Sequence, residues 1–352
     1  MSKISDLPIV AGSVTIDLKG PRPQTRKGRY FFVAMAILFP VIVWLGFFPS
    51  YQSMNAGTLE VHWLTHIHGA LMTSWILVFL TQAILAAKGN LKFHRRLGLS
   101  AVVLGVLVWL AMATVTAHFL IANHPPEESF IFDLLLMQFY EMISFGLFFA
   151  LGIWLRKKDT ASHKRLLILA TFVLLTAAID RMYWLPSLGM EPPYGTFVYQ
   201  DTLLIPLFFY DFITLRRIHR ITWIGSAVII VLQLAVGMVW GSPSWHKFWF
   251  NLTAPIMEKV VEVKLSDAQS DPLLGDYEGT IGKISISRDS GRVYLQFNGQ
   301  EKQEMGARSE TELFLKAETM NFSFVKGPNG KVTEITAKQI GRIYKMVRLK
   351  QP

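Results

Sequence analysis

Histidine is the side chain of this sequence with the widest range of chemistry, and the chain has nine histidines and no cysteine. The lack of cysteine excludes disulfides, iron–sulfur clusters, thiolate zinc sites and covalent c-type haem. Any cofactor must therefore be held by histidine, by carboxylates or by the backbone. Relative to the long apolar segments of the chain, the histidines fall at two levels. The outer level holds His62, His66, His68, His118, His124 and His246, and the inner level holds His94, His163 and His219.

Two pairs of histidines have the placement expected of haem ligands. His68 and His118 lie at similar depth near the outer ends of neighbouring apolar segments, and His94 and His163 lie near inner ends. A non-covalent haem takes two imidazoles that face each other across a gap, each with its second ring nitrogen oriented by a partner. Arg181 would bind a haem propionate at the outer level. These residues predict a b-type haem site.

A second interpretation uses outer histidines as ligands to zinc or iron. His62 and His66 are four residues apart, so they share one face of a helix that would begin near Thr58. The third ligand would come from His118, His124 or Glu60. Such a site keeps an open coordination position, as a metal-dependent hydrolase requires. The spacing lacks the glutamate of H-E-x-x-H, which argues against a metalloprotease.

Ionised side chains inside apolar segments are informative because burying them in hydrocarbon is costly unless they are paired. Glu141 lies near the centre of one segment, and Arg181 lies in the outer half of the next. The simplest interpretation is a buried ion pair of Arg181 that fixes the helix register. Its candidate partners are Glu141, Asp133 and Asp201. The functional interpretation makes Arg181, with Gln138 and Tyr140, a clamp for a propionate, a lipid phosphate or a quinone carbonyl.

The elements that carry these residues are long apolar segments. The chain is 51% hydrophobic and 17% charged, whereas soluble domains carry roughly a quarter charged residues. A membrane-spanning helix needs about 20 mostly apolar residues. Seven segments qualify, and they lie at 30–49, 66–87, 97–122, 130–155, 164–186, 198–215 and 221–241. We therefore expect a seven-helix membrane domain over residues 30–250, preceded by a disordered cytoplasmic tail over 1–29.

The distribution of lysine and arginine predicts the orientation of the chain. The tail and the loops at 88–96, 156–165 and 216–220 carry eighteen Lys and Arg residues, and the opposite loops carry one, Lys247. Positive residues collect on the cytoplasmic side of membrane proteins. This predicts a multi-pass protein of the bacterial inner membrane, with its N-terminus in the cytoplasm and its C-terminal region in the periplasm. The bias also explains most of the net charge of +10, so no nucleic-acid partner is expected.

Residues 272–352 have the pattern of short antiparallel strands. Apolar and polar residues alternate around Asp289-Ser290-Gly291 and again around Pro328-Asn329-Gly330, which are hairpin turn sequences. The pattern is typical of a small β-barrel or sandwich, and residues 251–271 are expected to be a linker. No internal repeat is evident. The fold class expected is a seven-span α-helical membrane bundle with a C-terminal all-β barrel domain.

The C-terminal domain resembles a known accessory module. The runs LLGDYEG, ISISRDSGRVYLQFNGQ, SETELFLKA and FVKGPNGKVTEITAKQ are similar to the small β-barrel often appended to bacterial beta-lactamase-like serine hydrolases. The resemblance covers about residues 272–350 and implies a barrel fold. Ser244 and Lys247 have the S-x-x-K spacing of the hydrolases, but no S-D-N or K-T-G partner accompanies them.

The membrane region resembles a broad group of uncharacterised bacterial multi-span proteins. Its shared features are His68-Gly69, Trp75, Gln82, His94-Arg95-Arg96-Leu97-Gly98 and His163-Lys164-Arg165-Leu166. The layout is also loosely similar to b-type transmembrane cytochromes, which place histidines at helix ends on both membrane faces. This second resemblance implies haem b as a cofactor.

Three functions are consistent with these features. The first is a b-type haem or quinone-linked redox protein with a quinone or redox partner. The second is a metal-dependent hydrolase or lipid-modifying enzyme at the outer leaflet. The third is a non-enzymatic scaffold or sensor that presents the β domain to a partner. The lipid bilayer is a partner in all three.

Overall fold

A computed structural model describes residues 26–257, 261–327 and 330–349 of the protein. Within these residues a helical bundle is followed by a closed β-barrel. The expected disordered tail lies outside the described residues, except that 26–29 belong to the first helix. The turn predicted around Asn329 also falls outside them.

The bundle contains ten helices in the part of the chain that is described. They are α1 (Arg26–Asn55), α2 (Trp63–Ala87), α3 (Leu91–Asn123), α4 (Ile131–Leu155), α5 (Thr160–Val173), α6 (Thr176–Ile179), α7 (Tyr194–Thr202), α8 (Ile205–Leu215), α9 (Arg220–Val239) and α10 (Pro243–Thr253). Six segments are long and apolar enough to cross a membrane: α1, α2, α3, α4, α5 together with α6, and α9. These segments define a multi-pass membrane protein.

The segment predicted as the span 198–215 is built differently. It is divided into α7 and α8, which are joined through Leu203 and Leu204, so seven spans are not confirmed. Pro206 explains the break, because proline has no N–H to donate to the preceding turn and its ring clashes with the carbonyl there. Both joining residues keep right-handed helical dihedrals, so no extended segment separates the two helices.

Both ends of α9 contact this broken segment. At the start of α9, the carboxylate of Asp211 in α8 accepts hydrogen bonds from the backbone N–H of His219 (3.1 Å) and the hydroxyl of Thr222 (2.5 Å). At the end of α9, the ring of Tyr194 in α7 lies directly against Gly237, where a side chain would collide with it. The broken segment therefore runs antiparallel to α9 along its length.

The bundle has a buried centre and an apolar outer surface. Buried residues make up 78% of the most apolar window of α5–α6 and only 11% of that of α2. At the periphery, large apolar side chains such as Leu99 and Met238 are 74% and 77% exposed. Soluble proteins rarely present contiguous apolar surface on this scale. The peripheral helix faces are therefore suited to contact with lipid.

The C-terminal domain is a closed antiparallel barrel. A short helix, α11 (Asp267–Ser270), and a 3₁₀ turn, Asp271–Leu273, precede it. Its strands are β1 (Gly275–Gly279), β2 (Gly282–Asp289), β3 (Arg292–Phe297), β4 (Lys302–Ala307), β5 (Glu312–Leu315), β6 (Met320–Lys326), β7 (Val332–Gln339) and β8 (Arg342–Arg348). Each strand pairs with the next, and β8 pairs with β1, which closes the sheet. The predicted barrel is confirmed.

Local turn sequences and a filled interior explain the barrel. Ser290 and Gly291 connect β2 to β3 with positive φ values of 49° and 74°, as a two-residue type I′ hairpin requires. Eight strands enclose an interior just wide enough for side chains. Tyr277, Ile335 and Met346 point into it and are fully buried.

The barrel is attached to one end of the bundle by an added strand segment. The N–H of Glu60, in the α1–α2 loop, donates to the carbonyl of Gly341 (2.8 Å), and the N–H of Ile343 donates to the carbonyl of Thr58 (2.9 Å). The ammonium of Lys338 binds the Glu60 carboxylate at 2.6 Å. We call this end of the bundle the barrel end. The opposite end, with the loops at 88–90, 156–159 and 216–219, is the basic end.

Candidate functional site

His94 and His163 occupy equivalent positions at the basic end. Each is the fourth residue of its helix, α3 or α5, and each follows an asparagine or aspartate that caps that helix. The Asn90 side chain accepts from the N–H of Phe93 at 3.3 Å. The Asp159 side chain accepts from two backbone N–H groups at 3.0 and 3.1 Å. Side-chain capping of this kind fixes where a helix begins.

The caps direct both imidazoles back onto the preceding helix. The Nδ1 of His94 lies 3.3 Å from the carbonyl oxygen of Gln82 in α2. The Nδ1 of His163 lies 2.8 Å from the carbonyl oxygen of Gly152 in α4. Because a carbonyl only accepts, Nδ1 carries the proton in each ring, and Nε2 keeps a free lone pair. In both histidines Nδ1 is therefore held by a main-chain carbonyl, and Nε2 is the nitrogen that can act as an acceptor or ligand.

This equivalence is a short internal repeat that the sequence interpretation missed. Asn90–Leu97 reads N-L-K-F-H-R-R-L, and Asp159–Leu166 reads D-T-A-S-H-K-R-L. The shared pattern is an amide or carboxylate cap, three residues, His, two basic residues and Leu. Comparing the two loops with each other would have revealed it.

The surroundings of the inner histidines are positively charged. His163 lies within electrostatic range of His94, Lys164 and Arg156. The side-chain oxygen of Gln82 is buried and has no hydrogen-bond partner among the described residues. The arrangement brings two imidazoles and several cations together at the ends of α2 to α5.

His219, the third histidine of the inner level, has a structural role. Its Nδ1 accepts from the N–H of Ile221 at 3.2 Å and caps α9. Burial, with the neighbouring charge of Arg165, lowers the pKa of His219. The ring is therefore neutral near pH 7 and able to accept this bond.

Among the outer histidines, a ring contact joins His62 and His118. The rings of His62 and His118 stack with centroids 4.0 Å apart and an angle of 29° between planes. This contact leaves no gap for a porphyrin between these two rings. His68 lies within electrostatic range of Arg181, and its buried Nδ1 has no hydrogen-bond partner in the described part of the chain.

The outer residues considered for a metal site have other contacts. Helix α2 begins at Trp63, later than expected, and His62 is its N-cap, whose side chain accepts a hydrogen bond from the N–H of Leu64. The Glu60 carboxylate binds Lys338 instead. Residues 26–257, 261–327 and 330–349 contain no group of three or more His, Cys, Asp or Glu side chains placed to hold a metal ion.

Arg181 makes no ion pair within 4 Å with a described residue. Its Nη1 donates to the carbonyl of Ala177 at 2.6 Å, and its guanidinium lies 4.8 Å from the ring centroid of Phe47. Glu141 is 4% exposed and lies within electrostatic range of Arg181. The other two candidate partners bind elsewhere. Asp133 accepts from His246 at 2.9 Å and from the N–H of Gly241 at 2.8 Å, and Asp201 accepts from Gln233 at 3.1 Å.

Two buried polar groupings were missed by the sequence interpretation. The first is an ion pair between Arg165 and Asp211, whose side chains are 3% and 0% exposed. The second joins Tyr140, Gln200 and Gln233 by hydrogen bonds of 3.3 to 3.4 Å beside the breaks in α5–α6 and α7–α8. An aspartate and two glutamines inside apolar segments were the available signals.

Fold and site together define a multi-pass membrane protein that carries a closed eight-stranded β-barrel and presents paired histidines at its basic end. No family model matches the chain, and no curated protein matches it. The resemblances of the membrane region and of the C-terminal domain to known families therefore stay predictions.

Proposed function

We propose that the chain crosses a bacterial inner membrane seven times, with α7 and α8 together forming the sixth crossing and the basic end in the cytoplasm. The barrel is hydrogen-bonded to Glu60 in the α1–α2 loop and to Tyr183 after α6, and it lines one cavity together with Phe250 after α9. If α7 and α8 did not cross, α9 would end on the opposite side from the α1–α2 loop. The positive-inside rule assigns the basic end to the cytoplasm and the barrel to the periplasm.

The absence of cysteine provides a direct test of this orientation. Ser290→Cys places one thiol in a barrel turn, and Lys158→Cys places one in the basic α4–α5 loop. A membrane-impermeant maleimide added to intact spheroplasts is expected to label the first variant, and the second only after lysis. Labelling of the second variant alone before lysis would reverse the orientation.

We further propose that the protein binds haem b through His94 and His163. The observation that supports this is the repeated motif, in which both Nδ1 atoms are anchored to main-chain carbonyls and neither Nε2 has a hydrogen-bond partner among the described residues. Such anchoring of the second nitrogen is usual for histidines that bind a metal. Catalytic zinc sites take three protein ligands, whereas two imidazoles suffice for haem, and no third ligand is grouped with these two in the described residues.

Positively charged residues beside the two histidines would bind the propionates of such a cofactor. Lys164 and Arg156 place positive charge near His163, and Arg95 and Arg96 follow His94 directly. Charge-assisted hydrogen bonds of this type bind carboxylates strongly. When bound, haem supplies one-electron redox chemistry, for which a quinone or a redox protein is the partner class.

Absorption spectroscopy of detergent-purified protein, expressed with haem supplied, tests the proposal. We expect a Soret band in the wild type and its loss or a large reduction in both His94→Ala and His163→Ala. His219→Asn is the matched control, because it changes an inner histidine but keeps a side chain suited to a helix cap.

The outcome that rejects haem binding is folded protein without a Soret band, or equal haem content in the wild type and both alanine variants. In that case a scaffold role for the attached barrel becomes the leading interpretation. The metal-dependent hydrolase is not proposed, because the described residues do not group three metal ligands.

A further inference from the structure

A second candidate site lies between the bundle and the barrel, away from the inner histidines. It is a cavity of about 260 Å³. Three parts of the chain line it: the connection after α3, the segment formed by α10 and the turn that follows, and the barrel around β4 and β5. The lining includes His124, Phe250, Met257, Arg308, Phe314 and Thr319. The cavity exists only because the barrel is docked on the bundle.

Polar atoms in this cavity have no partners within the described chain. The Nδ1 of His124 and the hydroxyl oxygen of Thr319 are both buried and unbonded. Buried polar groups in folded proteins nearly always have hydrogen-bond partners, and each exception calls for an explanation. A ligand in the cavity that hydrogen-bonds to both groups provides one.

The charged side chains that line the cavity differ in whether an oppositely charged group binds them. Lys316 binds Glu262 at 2.9 Å and Glu304 at 2.8 Å. Glu318 accepts from two glutamine side chains at 3.2 and 3.5 Å. Arg308 stacks on the ring of Phe314 at 5.4 Å and makes no ion pair with a described residue. Of the two cations in the lining, Arg308 is therefore the one without a carboxylate partner among the described residues, and a guanidinium is the side chain best suited to bind phosphate or carboxylate.

The wall of the cavity across from the barrel belongs to α10 and the turn that follows, a segment suited to the membrane surface. Phe250 and Met257 form this wall. The other side of the same segment carries Phe248, Leu252 and Ile256, which are 57%, 55% and 62% exposed. A short segment with exposed apolar residues on one side, located where spans end, is typical of a helix lying in the interface. A molecule in the cavity would thus have acyl chains within reach of the bilayer.

We propose that this cavity binds an oxyanion headgroup, a phosphate or carboxylate, carried by a lipid of the barrel-side leaflet. Arg308 and Thr319 donate hydrogen bonds to the oxyanion, and so does His124 in its Nδ1–H tautomer. Phe250, Met257 and Phe314 contact the apolar part next to the headgroup. The same donors would bind a free anion such as inorganic phosphate. The site does not depend on the inner histidines or on haem.

Native mass spectrometry of the full-length protein in detergent tests the site. The probes are dioleoyl phosphatidylglycerol, dioleoylglycerol as a lipid without an oxyanion, and inorganic phosphate. We expect phosphatidylglycerol to bind and dioleoylglycerol not to bind. Arg308→Gln and Thr319→Val are each expected to weaken binding about tenfold, because each removes a hydrogen bond to a charged group. Lys345→Gln, which removes an exposed positive charge of the barrel outside the cavity, is expected to bind like the wild type.

The remaining outcomes separate the two sources of the anion. Inorganic phosphate that displaces phosphatidylglycerol and shows the same dependence on Arg308 would support the oxyanion site with a free anion as a second occupant. Equal binding of the two lipids, or binding unchanged in Arg308→Gln and Thr319→Val, would overturn the proposal. Size-exclusion chromatography and circular dichroism of both variants verify that they fold.

Discussion

Two arginines near opposite ends of the bundle differ in whether they form an ion pair. At the basic end, Arg165 is 3% exposed and forms an ion pair with Asp211, which also accepts bonds from Thr222 and the N–H of His219. Toward the barrel end, the Arg181 guanidinium contacts the carbonyl of Ala177 and the ring of Phe47. The first arginine therefore joins α5, α8 and α9, whereas the second has no ion-pair partner among the described residues.

The largest effect is expected where the satisfied pair is broken. Asp211→Asn leaves the Arg165 guanidinium buried without a counter-charge, and removing one partner of such a pair costs about 3–5 kcal/mol. Unfolding of the purified protein by SDS titration measures the loss. The double variant Arg165→Met with Asp211→Asn is expected to regain most of it, because no charge is then left unpaired and the asparagine amide oxygen can still accept from Thr222 and the N–H of His219. A double variant as unstable as Asp211→Asn would contradict this account.

Arg181→Gln sharpens the comparison from the other end. We expect a loss of about 1 kcal/mol in the same titration, because the substitution removes a hydrogen bond and a cation–π contact but no ion pair. A loss equal to that of Asp211→Asn would show that Arg181 and Glu141 form a structural pair after all, and the contrast between the two ends would disappear.

The cap of α5 gives a prediction with a pH dependence. Burial alone would raise the pKa of the Asp159 carboxyl, but hydrogen bonds from Ser162 and Arg220 outweigh it and hold the pKa below its ordinary value. A carboxyl whose pKa is lower in the folded state stabilises fully above its unfolded pKa, near 3.9, and loses that contribution as pH falls through the folded value. Asp159→Ala is expected to cost about 1 kcal/mol at pH 7 and almost nothing at a pH below both values.

Asp159→Asn is the control, because asparagine also caps helices but does not titrate. The difference in unfolding free energy between Asp159→Asn and Asp159→Ala should be the same at low pH as at neutral pH. If the gap between the wild type and Asp159→Ala is the same at neutral and acid pH, the ionised carboxylate is not the stabilising form.

The smallest effect is expected at the barrel attachment. Lys338 and Glu60 are 50% and 63% exposed, and exposed ion pairs contribute between about 0 and 1 kcal/mol. Lys338→Ala should therefore leave SDS unfolding nearly unchanged, since the backbone bonds between Glu60 and Gly341 remain. A large destabilisation would show that this side-chain pair, and not the backbone, holds the barrel in place.

The sequence predicted features that depend on depth and local turns. Six of the seven expected segments correspond to apolar helices, and the turn at Ser290-Gly291 is where it was expected. Hydropathy measures how deep a residue lies but not which neighbour its side chain faces. Matched depth thus predicted that His68 would pair with His118. In the structure α2 starts at Trp63, and the ring of His62, just before that start, stacks on the ring of His118.

The ion pair of Arg165 was missed for a related reason. Because Arg165 follows Lys164 in a basic stretch, it was counted among the residues that set orientation. Its partner is 46 positions away, on α8, which begins at the break near Pro206. Long-range pairing of this kind depends on helix packing, which composition and spacing do not specify.

The backbone bonds between Thr58, Glu60 and the β7–β8 hairpin join an early part of the chain to a late one. Synthesis proceeds from the N-terminus, so the α1–α2 loop cannot form these bonds until β8 has been synthesised. Formation of this junction therefore marks the completion of assembly, and a spectroscopic probe placed across it would follow maturation of the whole molecule.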